Sequence, residues 1–177
     1  MKHLLSLITL LLIAVAPAGA RGGEKVRMFA ETVCEKAEIL EGDSTLVSII
    51  VYADAPFTAL ECTDKAVKAS GAAIRTQAVR QMQQQVVRDG RRYYAIVAKR
   101  LIVRPLKPGE LTIPALHFQG SFEIPDEPYD PRLYLWGKRP KSHTERQKCR
   151  STKKKLRCVK KPLRTTQEIQ RSGGNLL

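Results

Sequence analysis

The feature that most restricts the fold is a series of segments in which apolar residues recur at every second position. In residues 45–53 the side chains of Val47, Ile49 and Val51 share one side, and residues 91–106 are rich in Tyr, Ile and Val. A period of two is the repeat of a β-strand that buries one of its faces. The sequence therefore predicts a chain that folds mainly from strands.

The long segment 91–106 changes its apolar side near Lys99 and Arg100. Such a switch predicts a β-bulge or a strand that crosses between sheets. The segment 64–82 is expected to be a loose strand or a loop, with a short helix as the alternative because Ala, Lys, Gln and Arg favour helix. Further strands are expected at residues 25–30, 83–87, 110–118 and 132–136.

Turn residues separate these segments. Asp89-Gly90 lies between two strand-like stretches, which indicates a hairpin. In Lys107-Pro108-Gly109, proline fixes φ and glycine provides the permissive position of a tight turn. Short strands joined by such turns predict an all-β fold, an immunoglobulin-like β-sandwich with an irregular basic C-terminal tail. The structural turn residues are expected to be Gly42, Gly90, Pro108, Gly109 and Pro114.

The N-terminus has the pattern of a secretory signal peptide. Lys2 precedes the apolar run 4–16, and Ala18 and Ala20 form a small-residue cleavage site. The run is shorter than the ~20 apolar residues of a membrane span, although an uncleaved anchor is the alternative. We expect residues 1–20 to be removed after Ala20, which places the mature protein in the periplasm or outside the cell.

Charge divides the mature chain into a near-neutral body and a basic C-terminal segment. Residues 138–177 contain fourteen Lys and Arg against two Glu, so they hold +12 of the net charge of +14. We therefore expect one β-domain over residues 21–137, followed by a partly disordered basic tail over residues 138–177.

The order of strands and turns over about residues 26–122 resembles the first extracytoplasmic domain of the BatD family of bacterial aerotolerance proteins. The similarity includes the strand at 39–54 and the stretch 86–118, "VVRDGRRYYAIVAKRLIVRPLKPGELTIPALHF". The corresponding residues of the second stretch are Gly90, Tyr93 or Tyr94, Pro105, Lys107, Gly109, Ile113 and Pro114.

This resemblance implies an extracytoplasmic β-sandwich that acts as an adaptor in an aerotolerance or stress-related envelope assembly. Its partners would be other envelope proteins, including von Willebrand factor A-type Bat proteins. The long members of the family continue into further β-domains and a membrane-spanning helix, whereas this sequence continues into the basic segment. We expect a non-enzymatic protein-binding module that needs no cofactor and no small-molecule substrate.

Four cysteines in an oxidising compartment favour disulfides. Pairing Cys34 with Cys62 and Cys149 with Cys158 would close two local loops. Free buried thiols are the alternative for the first pair, and zinc binding is disfavoured because the sequence has no C-x-x-C.

The bridged tail loop suggests an alternative function as an envelope polyanion-binding protein. A disulfide would preorganise its cations, and the attraction would depend on salt. The alternative to this function is a disordered basic tail that has no dedicated partner. The candidate polyanion-binding residues are Arg150, Lys153, Lys154, Lys155, Arg157, Lys160 and Lys161.

Signals for catalysis or metal binding are weak. His117 lies in an expected strand with no neighbouring Cys or carboxylate motif, which favours a structural role. The acidic stretch 123–131 lacks EF-hand spacing and contains three prolines, so a solvated loop is favoured over a calcium site. No G-x-S-x-G, H-E-x-x-H or phosphate-binding glycine loop occurs.

Overall fold

A computed structural model describes residues 25–127, 130, 132, 135 and 141–161. Every element within 25–127 and 141–161 is a β-strand, so the all-β prediction is confirmed. The strands are β1 (Met28–Cys34), β2 (Glu38–Leu40), β3 (Thr45–Ala53), β4 (Phe57–Cys62), β5 (Ala72–Gln77), β6 (Gln83–Arg88), β7 (Arg91–Pro105), β8 (Gly109–Ile113), β9 (His117–Pro125), β10 (Ser142–Arg150) and β11 (Lys154–Val159).

The long strand β7 organises a five-stranded antiparallel sheet. On one side β7 pairs with β3, which pairs in turn with β1; on the other side it pairs with β5 and β6. The register between β3 and β7 shifts at Ala98, one residue before the position where the sequence indicates a bulge. Asp89 and Gly90 connect β6 to β7 with positive φ angles of 50° and 73°, the conformation that a two-residue hairpin turn requires.

Two three-stranded sheets complete the strand pairing. One has the order β10-β9-β4 and the other β2-β11-β8. Strand β11 lies parallel to β2 and antiparallel to β8. The expected single strand over 110–118 is divided at 114–116, so β8 and β9 belong to different sheets. Pro114, which directly follows β8, cannot donate a ladder hydrogen bond, and this favours the interruption.

The inner faces of the three sheets share one hydrophobic core. Val47, Ile49 and Leu101 come from the five-stranded sheet and are fully buried. Phe118 from β9 and Leu156 from β11 belong to the same cluster. The alternation that is visible in 45–53 thus marks side chains that pack against residues more than 100 positions away in the chain.

The prediction of an irregular C-terminal tail is wrong for residues 142–159. Strand β10 pairs with β9, and β11 lies between β2 and β8. The connection between β10 and β11 is also tied to the body, because Ser151 N donates to Leu116 O at 2.8 Å and Leu116 N donates to Ser151 Oγ at 2.9 Å. Backbone donors and acceptors of a basic segment are thereby satisfied within sheets.

The described residues divide into two units, one of residues 26–124 and 143–161 and the other of residues 25, 125–127, 130, 132, 135 and 141–142. The surfaces that carry the candidate sites belong to the first unit. The predicted signal peptide, residues 1–20, lies outside the described residues, as does most of the strand expected at 132–136.

Candidate functional site

The cations of β11 face carboxylates on the neighbouring strands. Lys155 Nζ lies 3.1 Å from Glu110 Oε2. Arg157 is aligned with Glu38 on β2 and with Glu110 on β8, and residues directly opposite one another have Cβ atoms about 5 Å apart. Two of the three cations of this strand therefore lie beside carboxylates of the neighbouring strands, whereas Lys154 is aligned with Ile113.

Strand β10 carries a second set of cations, which we call the cationic row: Arg146, Lys148 and Arg150. All three are exposed and alternate with half-buried residues, so they project from one face of the strand. Among the residues that the structure describes, no carboxylate pairs with any of the three. Glu145, which precedes the row, accepts hydrogen bonds from Val26 N at 3.1 Å and from Gln147 Nε2 at 2.6 Å.

The outward face of β9, next to the cationic row, is neutral in its middle and carries an exposed carboxylate, Glu123, towards its end. Gln119 and Ser121 of β9 are half-buried and alternate with Phe118, Gly120 and Phe122, which point into the core. The carboxylate of Glu61 lies one strand further away on β4, where Glu61 is aligned with Gln119. Two strand spacings amount to about 10 Å, a distance at which water and salt weaken the interaction between exposed charges.

A shallow depression lies beside the end of the cationic row. Its volume is about 520 Å³, and its lining includes Lys148, Arg150, His117 and Thr63. The two cations thus border a concave surface, together with the polar side chains of His117 and Thr63 and with Phe118 and Cys149. An anionic group bound there would meet positive charge from one strand and hydrogen-bonding groups from the others.

His117 is held beside this depression by a carboxylate that the sequence interpretation missed. Its backbone N–H donates to Asp64 Oδ2 at 2.6 Å, and its Nδ1 lies 3.3 Å from the same oxygen. The backbone hydrogen bond is the main cause that lowers the pKa of the Asp64 carboxyl, and the His117 side chain contributes further. The contact joins residues 53 positions apart, so sequence spacing gave no signal for it.

The outward face of the five-stranded sheet carries an aromatic cluster in which Phe29 and Tyr93 are half-buried and Tyr52 is buried. The rings of Phe29 and Tyr52 are stacked with centroids 5.0 Å apart, and Tyr93 meets Phe29 edge-on at 5.3 Å. The guanidinium of Arg88 lies 4.8 Å from the Tyr52 centroid and 2.8 Å from a Glu31 carboxylate oxygen. The Glu31 hydrogen bond is the main cause that raises the pKa of Arg88.

Apolar side chains continue this face beyond the aromatic cluster. Val33 on β1 is 45% exposed. Ile50, Val97 and Ile102 are half-buried and project to the same side, as the strand register shows. Tyrosine, arginine and aliphatic residues in one patch have the composition of a protein-binding surface.

The predicted disulfides do not form in the structure. All four cysteines lie in its described part, and each is a free thiol. Cys149 and Cys158 belong to strands of two different sheets, and Cys34 and Cys62 are likewise divided between sheets. The physical reason is that β10 and β11 do not pair with one another, so proximity in sequence does not bring their sulfur atoms together.

The free thiols occupy distinct environments. Burial raises the pKa of the Cys149 thiol to about 11 from an ordinary value of 9.0. Burial is also the main cause that raises the pKa of Cys34 and of Cys158. Cys62 Sγ accepts a hydrogen bond from Lys99 Nζ at 3.5 Å.

The sequence-predicted polyanion-binding residues do not form a bridged loop. All seven residues are exposed. Arg150 ends β10, Lys153 lies between β10 and β11, and the others lie on β11 or directly after it. The predicted turn residues lie between or beside strands. Gly42 connects β2 to β3, Gly90 connects β6 to β7, Pro108 lies between β7 and β8, Gly109 begins β8, and Pro114 follows β8.

Comparison with known proteins leaves the resemblance to BatD as a prediction, because no family model, curated protein or solved structure matches the chain. Within the described residues, no helix has the length and hydropathy of a membrane span. The same residues contain no group of three or more His, Cys, Asp or Glu that could hold a metal ion.

Proposed function

We propose that the chain is a non-enzymatic protein-binding module of the bacterial cell envelope, of BatD-like type and with an immunoglobulin-like β-sandwich. The observation that carries this proposal is the outward face of the five-stranded sheet. There the aromatic cluster of Phe29, Tyr52 and Tyr93 adjoins aliphatic side chains and the guanidinium of Arg88. Tyrosine and arginine are enriched among the residues that supply most of the energy at protein interfaces, and phenylalanine is enriched in interface cores.

The geometry of this face favours a folded protein as its partner. The face is formed by strands of one sheet, and its ring contacts hold several side chains in place before binding. Preorganisation reduces the entropy lost on association. In the BatD-like interpretation the protein is exported by its signal peptide, and the partners are other envelope proteins, including those of von Willebrand factor A type.

The test is affinity capture from native envelope extract with the full mature chain at high salt, followed by mass spectrometry. Val33→Glu places a charge on the proposed surface. Val87→Glu is the matched control, since Val87 is 68% exposed on β6 of the same sheet and projects to the side opposite Arg88.

We expect the wild type and Val87→Glu to retain von Willebrand factor A-type proteins and Val33→Glu to lose them. Equal capture by both variants would contradict the proposed surface. Capture of no such protein by the wild type would contradict the proposed function.

A further inference from the structure

The cationic row differs from the other basic part of the C-terminal segment in having no carboxylates opposite it. Strand β11 has Glu38 and Glu110 alongside Arg157. For Arg146, Lys148 and Arg150 no such partner occurs among the described residues, and Glu145 is engaged by Val26 and Gln147. Unopposed cations in a fixed array create a local positive potential that attracts anions.

The β-strand sets the spacing of this array. Residues that project from the same face recur about every 6.7 Å, so the three cations span about 13 Å. The partner strand β9 and the hydrogen bonds around Ser151 keep the strand extended. The array is therefore matched to a ligand that is itself extended and carries negative groups at repeated intervals.

From these observations we propose that the cationic row binds an extended anionic polysaccharide bearing sulfate or phosphate groups. Arg146 and Arg150 can each offer two parallel N–H donors to a tetrahedral oxyanion, and Lys148 adds a point charge between them. The depression beside Lys148 and Arg150 receives one such group. This function goes beyond the proposed protein-binding role and uses a different sheet.

The neighbouring side chains favour a polysaccharide over a nucleic acid. Gln119 and Ser121 lie on the outward side of β9 and can hydrogen-bond sugar hydroxyl groups. On β9, Phe118 and Phe122 point into the core, are at most 1% exposed and provide no stacking surface, and the one exposed ring is the imidazole of His117. Single-stranded nucleic-acid binders use exposed aromatic rings as platforms for bases.

The experiment measures binding of the full mature chain to a size-defined dextran sulfate by fluorescence anisotropy over a series of salt concentrations. Neutral dextran of the same length and an oligothymidylate of equal charge are compared as ligands. The test variant combines Arg146→Gln, Lys148→Gln and Arg150→Gln. The matched control combines Lys155→Gln, Arg157→Gln and Lys160→Gln, which lowers the net charge by the same amount.

We expect the test variant to lose about tenfold or more in affinity at low salt, because it lacks all three ion pairs that the row would form with the ligand. Each neutralised group of a single-stranded polyanion contributes about 0.7 to the slope of log affinity against log salt. The loss of three contacts should therefore lower the magnitude of this slope by about two. The control should lose less than about threefold. Circular dichroism melting verifies that both variants are folded, and the three single substitutions replace the triple variant if it is not.

Equal losses in the two variants would overturn the proposal, because the attraction would then follow net charge alone. Tighter binding of oligothymidylate than of dextran sulfate would assign the row to nucleic acid instead. Undiminished binding of neutral dextran would show that the cations are not the recognised feature. No measurable binding of dextran sulfate by the wild type at low salt would also overturn it.

Discussion

Truncation of Leu156 tests whether the basic C-terminal segment belongs to the folded domain. Leu156 is 2% exposed, lies on the central strand of the β2-β11-β8 sheet and packs in the main core. Leu→Ala at such a site removes the transfer free energy of the side chain and leaves a cavity, at a cost of about 2–5 kcal/mol. We expect Leu156→Ala to lower the free energy of unfolding by that amount, a large share of the roughly 5–15 kcal/mol of a typical domain.

The assay is urea unfolding followed by far-UV circular dichroism, with Leu106→Ala as the matched control. Leu106 is 59% exposed after β7, so its truncation should change stability by about 0.5 kcal/mol or less. With a urea m-value of about 1–3 kcal/mol/M, the Leu156→Ala midpoint should fall by about 1 M or more. Identical midpoints for Leu156→Ala and the wild type would refute the packing of β11 in the core.

Two further substitutions and one alkylation experiment test other sites of the structure. Ser151→Ala leaves the buried N–H of Leu116 without its Oγ acceptor and should cost about 1–3 kcal/mol; an unchanged melting temperature would contradict the hydrogen bond. Gly109→Val forces a β-branched residue to φ 130°, so we expect a loss of about 1–3 kcal/mol in urea unfolding. Because the pKa of Cys149 is raised to about 11, its alkylation by iodoacetamide in the native protein should keep accelerating up to that pH, whereas a plateau near pH 9 would disagree.

The raised pKa of Cys149 also predicts how the stability of the folded protein changes with pH. The folded protein favours the neutral thiol, so this contribution is fully present below pH 9 and is lost as the pH rises towards about 11. Replacement by serine removes the titrating thiol. The variant should show a smaller loss of stability between pH 9 and 11 than the wild type, measured by chemical denaturation at each pH.

Local pattern predicted the strands whose inner positions are apolar. The strand expected at 45–53 is β3 with the same bounds, and the segment 91–106 contains β7, Arg91–Pro105. Alternation and turn chemistry are properties of neighbouring residues, so the sequence displays them directly. Strand β10 was missed because its inward positions include Glu145 and Gln147, which do not look apolar although both are half-buried.

The sequence by itself determined that this is a β-protein with a basic C-terminal segment. Only the tertiary structure decided which of those basic residues are opposed by carboxylates and which cysteines could meet. Arg157 lies opposite Glu38 although the two are far apart in the chain, whereas Cys149 and Cys158, nine positions apart, belong to different sheets. The reason is physical: periodicity reports the face on which a side chain lies, whereas charge compensation and cross-linking depend on the pairing of distant strands.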